Sequence, residues 1–161
     1  MTNWLLDTTV LSNFAHVQRP ELLRLLFGQS VATTPTVMSE VHEGEALGLI
    51  PLQEWSWLPL IAPTDSERQL ALGYEKQLDP GEAECLAIAL TRDYGFLSDD
   101  FAARRMASQV GVTLSGTLGV LQKLVATAHI TIPEADQLLA IMISQGYRSP
   151  VQSLAELKGG I

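Results

Sequence analysis

The chain alternates short apolar runs with longer segments whose apolar residues recur at helical spacing. The runs cover residues 4–6, 31–33, 96–98 and 112–114, and none is long enough to form a helix of its own. Such runs are typical of parallel strands that are buried on both faces. Because helical segments separate them, the pattern predicts an α/β domain with three layers, α/β/α, around a short parallel sheet of four or five strands.

Capping signatures predict where several helices begin and end. Thr34-Pro35 and Asp79-Pro80 each join an N-cap residue to a proline at the first helical position, where a missing N–H costs nothing. Thr64 and Asp79 are each followed three residues later by a glutamate, as in a capping box. Gly95 is predicted to end the helix that begins after Asp79. The helix after Thr64 is predicted to reach Leu78.

Composition limits the class of protein. A length of 161 residues, with 47% apolar and 17% charged residues, suits one compact domain. We expect residues 1–161 to form that domain, with extra helices after about residue 119. No apolar run approaches the roughly 18 residues of a membrane span, no signal peptide is visible, and the single Cys85 fits a reducing compartment. The expectation is a cytoplasmic protein without a membrane segment.

Acidic residues stand at the carboxyl ends of two predicted strands. Asp7 follows the first strand, Asp99 and Asp100 follow the third, and Ser115 and Thr117 lie just beyond the fourth. In parallel α/β sheets these ends meet at one edge, where ligands bind. Taken singly, Asp7 is better explained by a helix N-cap, and an N-cap of the following helix is the alternative explanation for Asp99. Three carboxylates at one edge repel one another, however, and hard oxygen ligands without a His or Cys set indicate Mg²⁺ or Mn²⁺.

Two glutamates lie inside predicted helices, beyond capping range. Glu84 points to roughly the opposite helix face from Glu82, which has a capping role, and its own face also carries the apolar Ile88. A carboxylate on a buried face is costly without a partner, and a metal ion is one such partner. Glu40 lies in the helix that follows Thr34. For either glutamate alone, a solvated side chain is the simpler explanation.

The ordered set of motifs resembles the PIN domain, a family of metal-dependent ribonucleases. Four segments resemble the parts of that fold that each supply one acid of its metal site: residues 5–11, 39–41, 84–89 and 97–100. A narrower similarity to a prokaryotic PIN-like subgroup of largely uncharacterised proteins rests on three motifs: Asp79-x-Gly-Glu-Ala-Glu84, Ser98-Asp-Asp-x-x-Ala-Arg104 and Ser115-Gly-Thr-Leu-Gly-Val-Leu121. The resemblance covers nearly the whole chain.

The resemblance implies one or two Mg²⁺ or Mn²⁺ ions and hydrolysis of an RNA phosphodiester bond by metal-activated water. It assigns catalysis to four acids, Asp7, Glu40, Glu84 and Asp99. It draws the metal ligands from Asp7, Glu84, Asp99 and Asp100, because either aspartate of the adjacent pair fits the fourth position. Contacts to phosphate or water are expected from Thr8, Arg104, Ser115 and Thr117, with Arg105 as an alternative to Arg104. Two positions depart from the common family pattern, with Glu at the third acid and Thr9 in place of a common asparagine.

The family also implies partners, namely an RNA substrate and, often, a small antitoxin protein. The apolar residues of two helices, at 22–26 and 138–143, further suggest a homodimer. The alternative function is a catalytically silent PIN-fold module that binds nucleic acid or protein, which the net charge of −8 favours somewhat. A phosphatase of the haloacid-dehalogenase type is set aside because Thr9 stands where that chemistry requires a second aspartate.

Overall fold

A computed structural model describes residues 2–157, which fold around one parallel sheet. The strands are β1 (Trp4–Leu6), β2 (Val31–Ala32), β3 (Gly95–Leu97) and β4 (Leu114–Ser115). Their order is β2-β1-β3-β4. A single parallel bridge between Thr33 and Leu60 extends the pairing beside the end of β2. The predicted α/β fold with a short parallel sheet is confirmed, with four strands.

Eight α-helices accompany the sheet within residues 2–157. They are α1 (Thr8–His16), α2 (Glu21–Phe27), α3 (Pro35–Ala46), α4 (Asp65–Tyr74), α5 (Pro80–Arg92), α6 (Phe101–Val110), α7 (Thr117–Ala126) and α8 (Ile132–Ser144). A 3₁₀ turn (Leu154–Glu156) follows. Helix α5 packs on α3, α4 and α6 as well as on β1 and β3, while α7 packs on α2 and α8. Helices thus cover the sheet in two groups, as a three-layer α/β/α arrangement requires.

Local chemistry fixes the helix starts where capping signatures are strong. Asp79 accepts a hydrogen bond from the N–H of Glu82 at 2.8 Å, and the Glu82 carboxylate accepts one from the Asp79 N–H. Thr64 and Glu67 make the same reciprocal pair at the start of α4. Both capping boxes are confirmed, because each depends only on residues three apart.

Five details differ from the sequence-based expectations. Helix α5 ends earlier than predicted, with Asp93 in the left-handed conformation as its C-cap. Gly95 instead begins β3, where an added Cβ would lie 2.4 Å from the Trp4 ring. The fourth strand is shifted to Leu114–Ser115, and α4 stops at Tyr74 rather than Leu78. The cap of α6 is Asp100, not Asp99.

The hydrophobic core is continuous across both groups of helices. Residues 85–89 of α5 are all buried beneath the sheet strands they contact. Most of the apolar residues behind the dimer prediction also lie in this core, including Leu22, Leu23 and Leu139. Of the large apolar residues in those two segments, only Leu25 and Ile141 are exposed. The homodimer therefore stays a prediction, without the apolar surplus that suggested it.

None of the helices within residues 2–157 has the length and apolar character that crossing a bilayer requires. The tail was predicted to be a short helix with a frayed end. Within the described range the tail contains the 3₁₀ turn, and residues 158–161 lie outside that range.

Candidate active site

The register of the sheet places the acidic residues at one edge. Leu6 pairs with Leu97, and Leu97 pairs with Ser115, so the residues that follow these strands leave the sheet at the same level. Asp7 follows β1, and Ser98 to Asp100 follow β3. The prediction that the strand ends bring these residues to one edge is confirmed.

Asp7 is completely buried and its carboxylate is held by four hydrogen bonds. Oδ1 accepts from the N–H of Thr9 at 2.9 Å, the hydroxyl of Thr9 at 2.5 Å and the N–H of Val10 at 3.3 Å. Oδ2 accepts from the Ser98 hydroxyl. Burial, together with the nearby Asp99 charge, raises the pKa of Asp7 from 3.8 to about 7, although these hydrogen bonds oppose the rise. Asp7 therefore caps α1, as expected, and at the same time holds its carboxylate in one fixed orientation.

Asp99 is joined to Asp7 through one hydroxyl. The Thr9 hydroxyl donates to Asp7 and accepts from the N–H of Asp99 at 2.8 Å. The Asp99 carboxylate accepts from the N–H and the hydroxyl of Thr117 and from the Asn13 amide at 2.9 Å. Burial raises the pKa of Asp99, and its hydrogen bonds from Thr117 oppose that rise. Thr117 thus orients the Asp99 carboxylate, and its contact with phosphate or water stays a prediction.

Asp100 lies next to this network and caps α6. Its Oδ2 accepts from the N–H of Ala103 at 2.9 Å, while its own N–H donates to the Ser98 hydroxyl at 3.1 Å. The other carboxylate oxygen makes no hydrogen bond with residues 2–157. Asp99 does not cap α6, so Asp100 holds the start of that helix while Asp99 belongs to the hydrogen-bond network with Asp7.

Glu40 is fixed by two elements that meet at its carboxylate. Oε2 accepts from the Thr8 hydroxyl at 2.7 Å, and Oε1 accepts from the N–H of Gly81, in the first turn of α5, at 3.1 Å. A Cβ at Gly81 would lie 2.7 Å from Oε1 and 2.9 Å from Oε2, so glycine is needed for this approach. Burial raises the pKa of Glu40, and the charges of Asp79 and Glu84 add to that rise.

Glu84 has the least explained carboxylate in the described part of the chain. Its Oε1 is buried and has no hydrogen-bond partner among residues 2–157, and no other buried side-chain nitrogen or oxygen in that range lacks one. A buried acceptor without a donor costs about 1–3 kcal/mol, more when it is charged. The negative charge of Glu84 also raises the pKa of Glu40, so repulsion between the two carboxylates is an additional cost. A cation would relieve both costs.

Glu82 also belongs to the acidic cluster, which sequence reasoning missed. Burial raises the pKa of Glu82 well above its ordinary value, and the charges of Asp79, Asp100 and Asp7 raise it further. Its recognised capping role concealed this second environment. No signal in the sequence indicated this environment, because Asp7 and Asp100 are remote from Glu82 in the chain and α5 does not follow a strand.

Arg104 bridges the ends of β3 and β4 beside Asp99 through two hydrogen bonds. Its Nη1 donates to the carbonyls of Ser98 at 2.8 Å and Ser115 at 3.1 Å. Gly116 leaves room for this arrangement, because a Cβ there would lie 2.5 Å from Asp99 Oδ1 and 2.8 Å from Arg104 Nη1. Ser115 thus takes part through its backbone carbonyl, which accepts the hydrogen bond from Arg104. Arg105 is exposed on α6.

A cavity of about 940 Å³ opens beside Asp99 and Asp100. Residues from α1, from the start of α6 and from the turn after α8 line it, among them Phe101, Tyr147 and Arg148. Volumes up to roughly 1,000 Å³ are typical of sites that enclose a small ligand.

The family model DUF3368: PIN domain matches residues 3–159. The chain belongs to the PIN-domain family. A search of curated proteins found no match, and neither did a search of solved structures. The four-stranded parallel sheet and its helices agree with this family, whose fold is nuclease-like and whose members typically use divalent metals.

The acids of this PIN domain fit a divalent cation by two observations. All are hard oxygen donors, and Glu84 Oε1 is a buried acceptor without a partner in the described range. Within residues 2–157, no group of three or more His, Cys, Asp or Glu side chains is close enough to hold one ion as it stands. Mg²⁺ usually keeps several waters and takes only one or two carboxylates, so pairs of these acids suffice.

Proposed function

We propose that this PIN domain is a divalent-metal-dependent endoribonuclease that uses Mg²⁺ or Mn²⁺. The observation that carries the proposal is the buried, unpartnered Glu84 Oε1, which faces the same acidic surroundings as Glu40. A bound cation would supply the partner that this carboxylate oxygen lacks among residues 2–157. The fold of the family and the position of the acids at the strand ends support the same reading.

Each catalytic acid has a proposed role. Pairs drawn from Asp7, Glu84, Asp99 and Asp100 would hold the metal, and Glu40 completes the catalytic acids. A bound Mg²⁺ or Mn²⁺ supplies activated water and neutralises charge that develops on phosphate.

The chain's own hydrogen bonds then orient the donors. Thr9 fixes the Asp7 and Asp99 groups relative to each other, and Thr8 fixes Glu40. Arg104 is proposed to contact phosphate with the nitrogens that its two carbonyl bonds leave free.

The biological setting is a proposal of the same kind. We propose a single domain over residues 1–161, a cytoplasmic location that fits the lone buried Cys85, and RNA as the substrate. A role as the toxin of a toxin–antitoxin pair, with a small antitoxin as partner and a homodimer as the assembly, extends the family resemblance.

Cleavage of labelled RNA in Mg²⁺, in Mn²⁺ and in EDTA tests the proposal. We expect cleavage with either metal and none in EDTA. Glu84→Gln keeps the shape of the side chain but removes its charge, and should lower the rate about a hundredfold or more. Glu43→Gln, exposed on the same helix as Glu40, is the matched control and should cleave as the wild type does. Metal-independent binding of RNA without cleavage would instead support the silent binding module.

A further inference from the structure

The cavity beside Asp99 carries an exposed aromatic side chain that folding does not explain. Phe101 is the first residue of α6 and directly follows the cap Asp100. Its side chain is 78% exposed, although a polar residue would serve equally well at this helical position. Single exposed apolar residues are common, so exposure alone is not informative. What distinguishes Phe101 is that it lines the same cavity as two acids of the site.

Two arginines share that cavity. Arg104 and Arg148 line it, whereas the chain as a whole has a net charge of −8 and only 10 Lys and Arg residues. Arg148 is exposed and its guanidinium makes no hydrogen bond or ion pair within residues 2–157. The cavity therefore joins a free cation and an aromatic face next to carboxylates. That combination suits a ligand with both a phosphate and a planar ring.

We propose that Phe101 and Arg148 form a nucleotide subsite for single-stranded RNA, in which a base stacks on Phe101 and a phosphate pairs with Arg148. This inference rests on the proposed ribonuclease function and names the form of RNA that the site takes. An unpaired base can lie on an aromatic ring, whereas the bases of an A-form duplex are stacked inside the helix. The cavity volume of about 940 Å³ is large enough for a few nucleotides.

The small number of cations predicts a weak dependence on salt. Each phosphate neutralised on a single strand contributes about −0.7 to the slope of log K against log salt. Two arginines in the cavity therefore predict a slope of about −1.4, and removal of Arg148 should reduce its magnitude by about 0.7. Loss of one base stack should weaken binding about tenfold.

Fluorescence anisotropy with a labelled single-stranded RNA octamer, in EDTA so that no cleavage occurs, tests the subsite. Phe101→Leu keeps an apolar side chain but removes the aromatic face and should weaken binding about tenfold, whereas Phe101→Trp should retain it. Arg148→Gln should weaken binding and lower the salt slope. Two exposed residues outside the cavity provide matched controls, Leu72→Ala on α4 and Arg24→Gln on α2, and both should bind as the wild type does.

Three results would overturn the subsite. They are wild-type affinity in both Phe101→Leu and Arg148→Gln, equal affinity for a duplex of the same sequence, and no measurable binding by the wild type. Wild-type affinity in both variants would mean that neither Phe101 nor Arg148 contacts the RNA. The cleavage assay is independent of the binding assay, so each proposal can be refuted without the other. Metal-dependent cleavage with an unchanged KM in Phe101→Leu and Arg148→Gln would refute the subsite alone. RNA binding that depends on both residues, without metal-dependent cleavage, would refute the nuclease proposal alone.

Discussion

Asp7→Asn is expected to stabilise the metal-free protein at pH 8 while abolishing metal-dependent cleavage. Asp7 is fully buried, and burial raises its pKa to about 7. At pH 8 the folded protein therefore holds a charge that it disfavours relative to the unfolded chain. Asparagine has nearly the same shape, and its amide oxygen can still accept the three hydrogen bonds that reach Asp7 Oδ1.

The sign and size follow from the raised pKa. Between pH 3.8 and about 7 the unfolded chain has released the Asp7 proton and the folded protein still binds it. The contribution of this group to stability is therefore complete below pH 3.8 and is lost as the pH rises to about 7. A shift of about three units corresponds to about 4 kcal/mol. Loss of the acceptor for Ser98 costs about 1 kcal/mol, which leaves a net gain of about 3 kcal/mol at pH 8.

Urea denaturation at pH 4 and pH 8, in EDTA and in excess Mg²⁺, measures these terms. Mg²⁺ at 100 times its Kd should add about 2.7 kcal/mol to the wild type and much less to Asp7→Asn. Glu43→Gln is the control for loss of a surface charge. The reasoning is refuted if Asp7→Asn loses about 1 kcal/mol at pH 8 and keeps the full Mg²⁺ response, since that is the behaviour of a helix cap alone.

Two further predictions concern the neighbours of Glu40, in the site, and of Glu67, outside it. Gly81→Ala should displace the Glu40 carboxylate and lower cleavage with little change in the urea midpoint, because a flexible side-chain end can move away. Gly73→Ala, where an added Cβ meets nothing within 4 Å, is its control and should gain up to about 1 kcal/mol with normal activity. Arg92→Ala should cost about 2–3 kcal/mol at pH 7, because its bond holds the pKa of the buried Glu67 at about 2. That cost should shrink as the pH falls from 4.5 towards 2, and a constant cost in pH-dependent melts would contradict the ion pair.

The sequence predicted best those features that depend on near neighbours or on the order of strands. The capping box of Asp79 and Glu82 involves residues three apart, so its chemistry is visible in the sequence. Asp7 and Asp99 were expected at one edge because parallel strands share the direction of their carboxyl ends. Glu84 was singled out because no local role accounts for it, and its Oε1 has no partner among the described residues.

Contacts between distant segments escaped the sequence. Asn13 reaches Asp99 across 86 positions, and an asparagine inside a helix gives no sign of that contact. Gly95 looked like a helix stop, yet its position is set by the Trp4 ring on the neighbouring strand. Glu82 was credited with capping alone, because only the folded protein brings Asp100 near it. In each case the deciding neighbour is remote in the chain.

A crystal structure of the protein grown with Mn²⁺, with anomalous differences recorded, tests the central claim most directly. The account predicts an anomalous peak for a Mn²⁺ ion that lies roughly 2.2 Å from Glu84 Oε1 and also contacts a second acid of the set Asp7, Asp99 and Asp100. The same crystals of Glu84→Gln should lose or weaken that peak. Full Mn²⁺ occupancy elsewhere on the protein, with no peak at these carboxylates, would contradict the claim that the acids form a metal site.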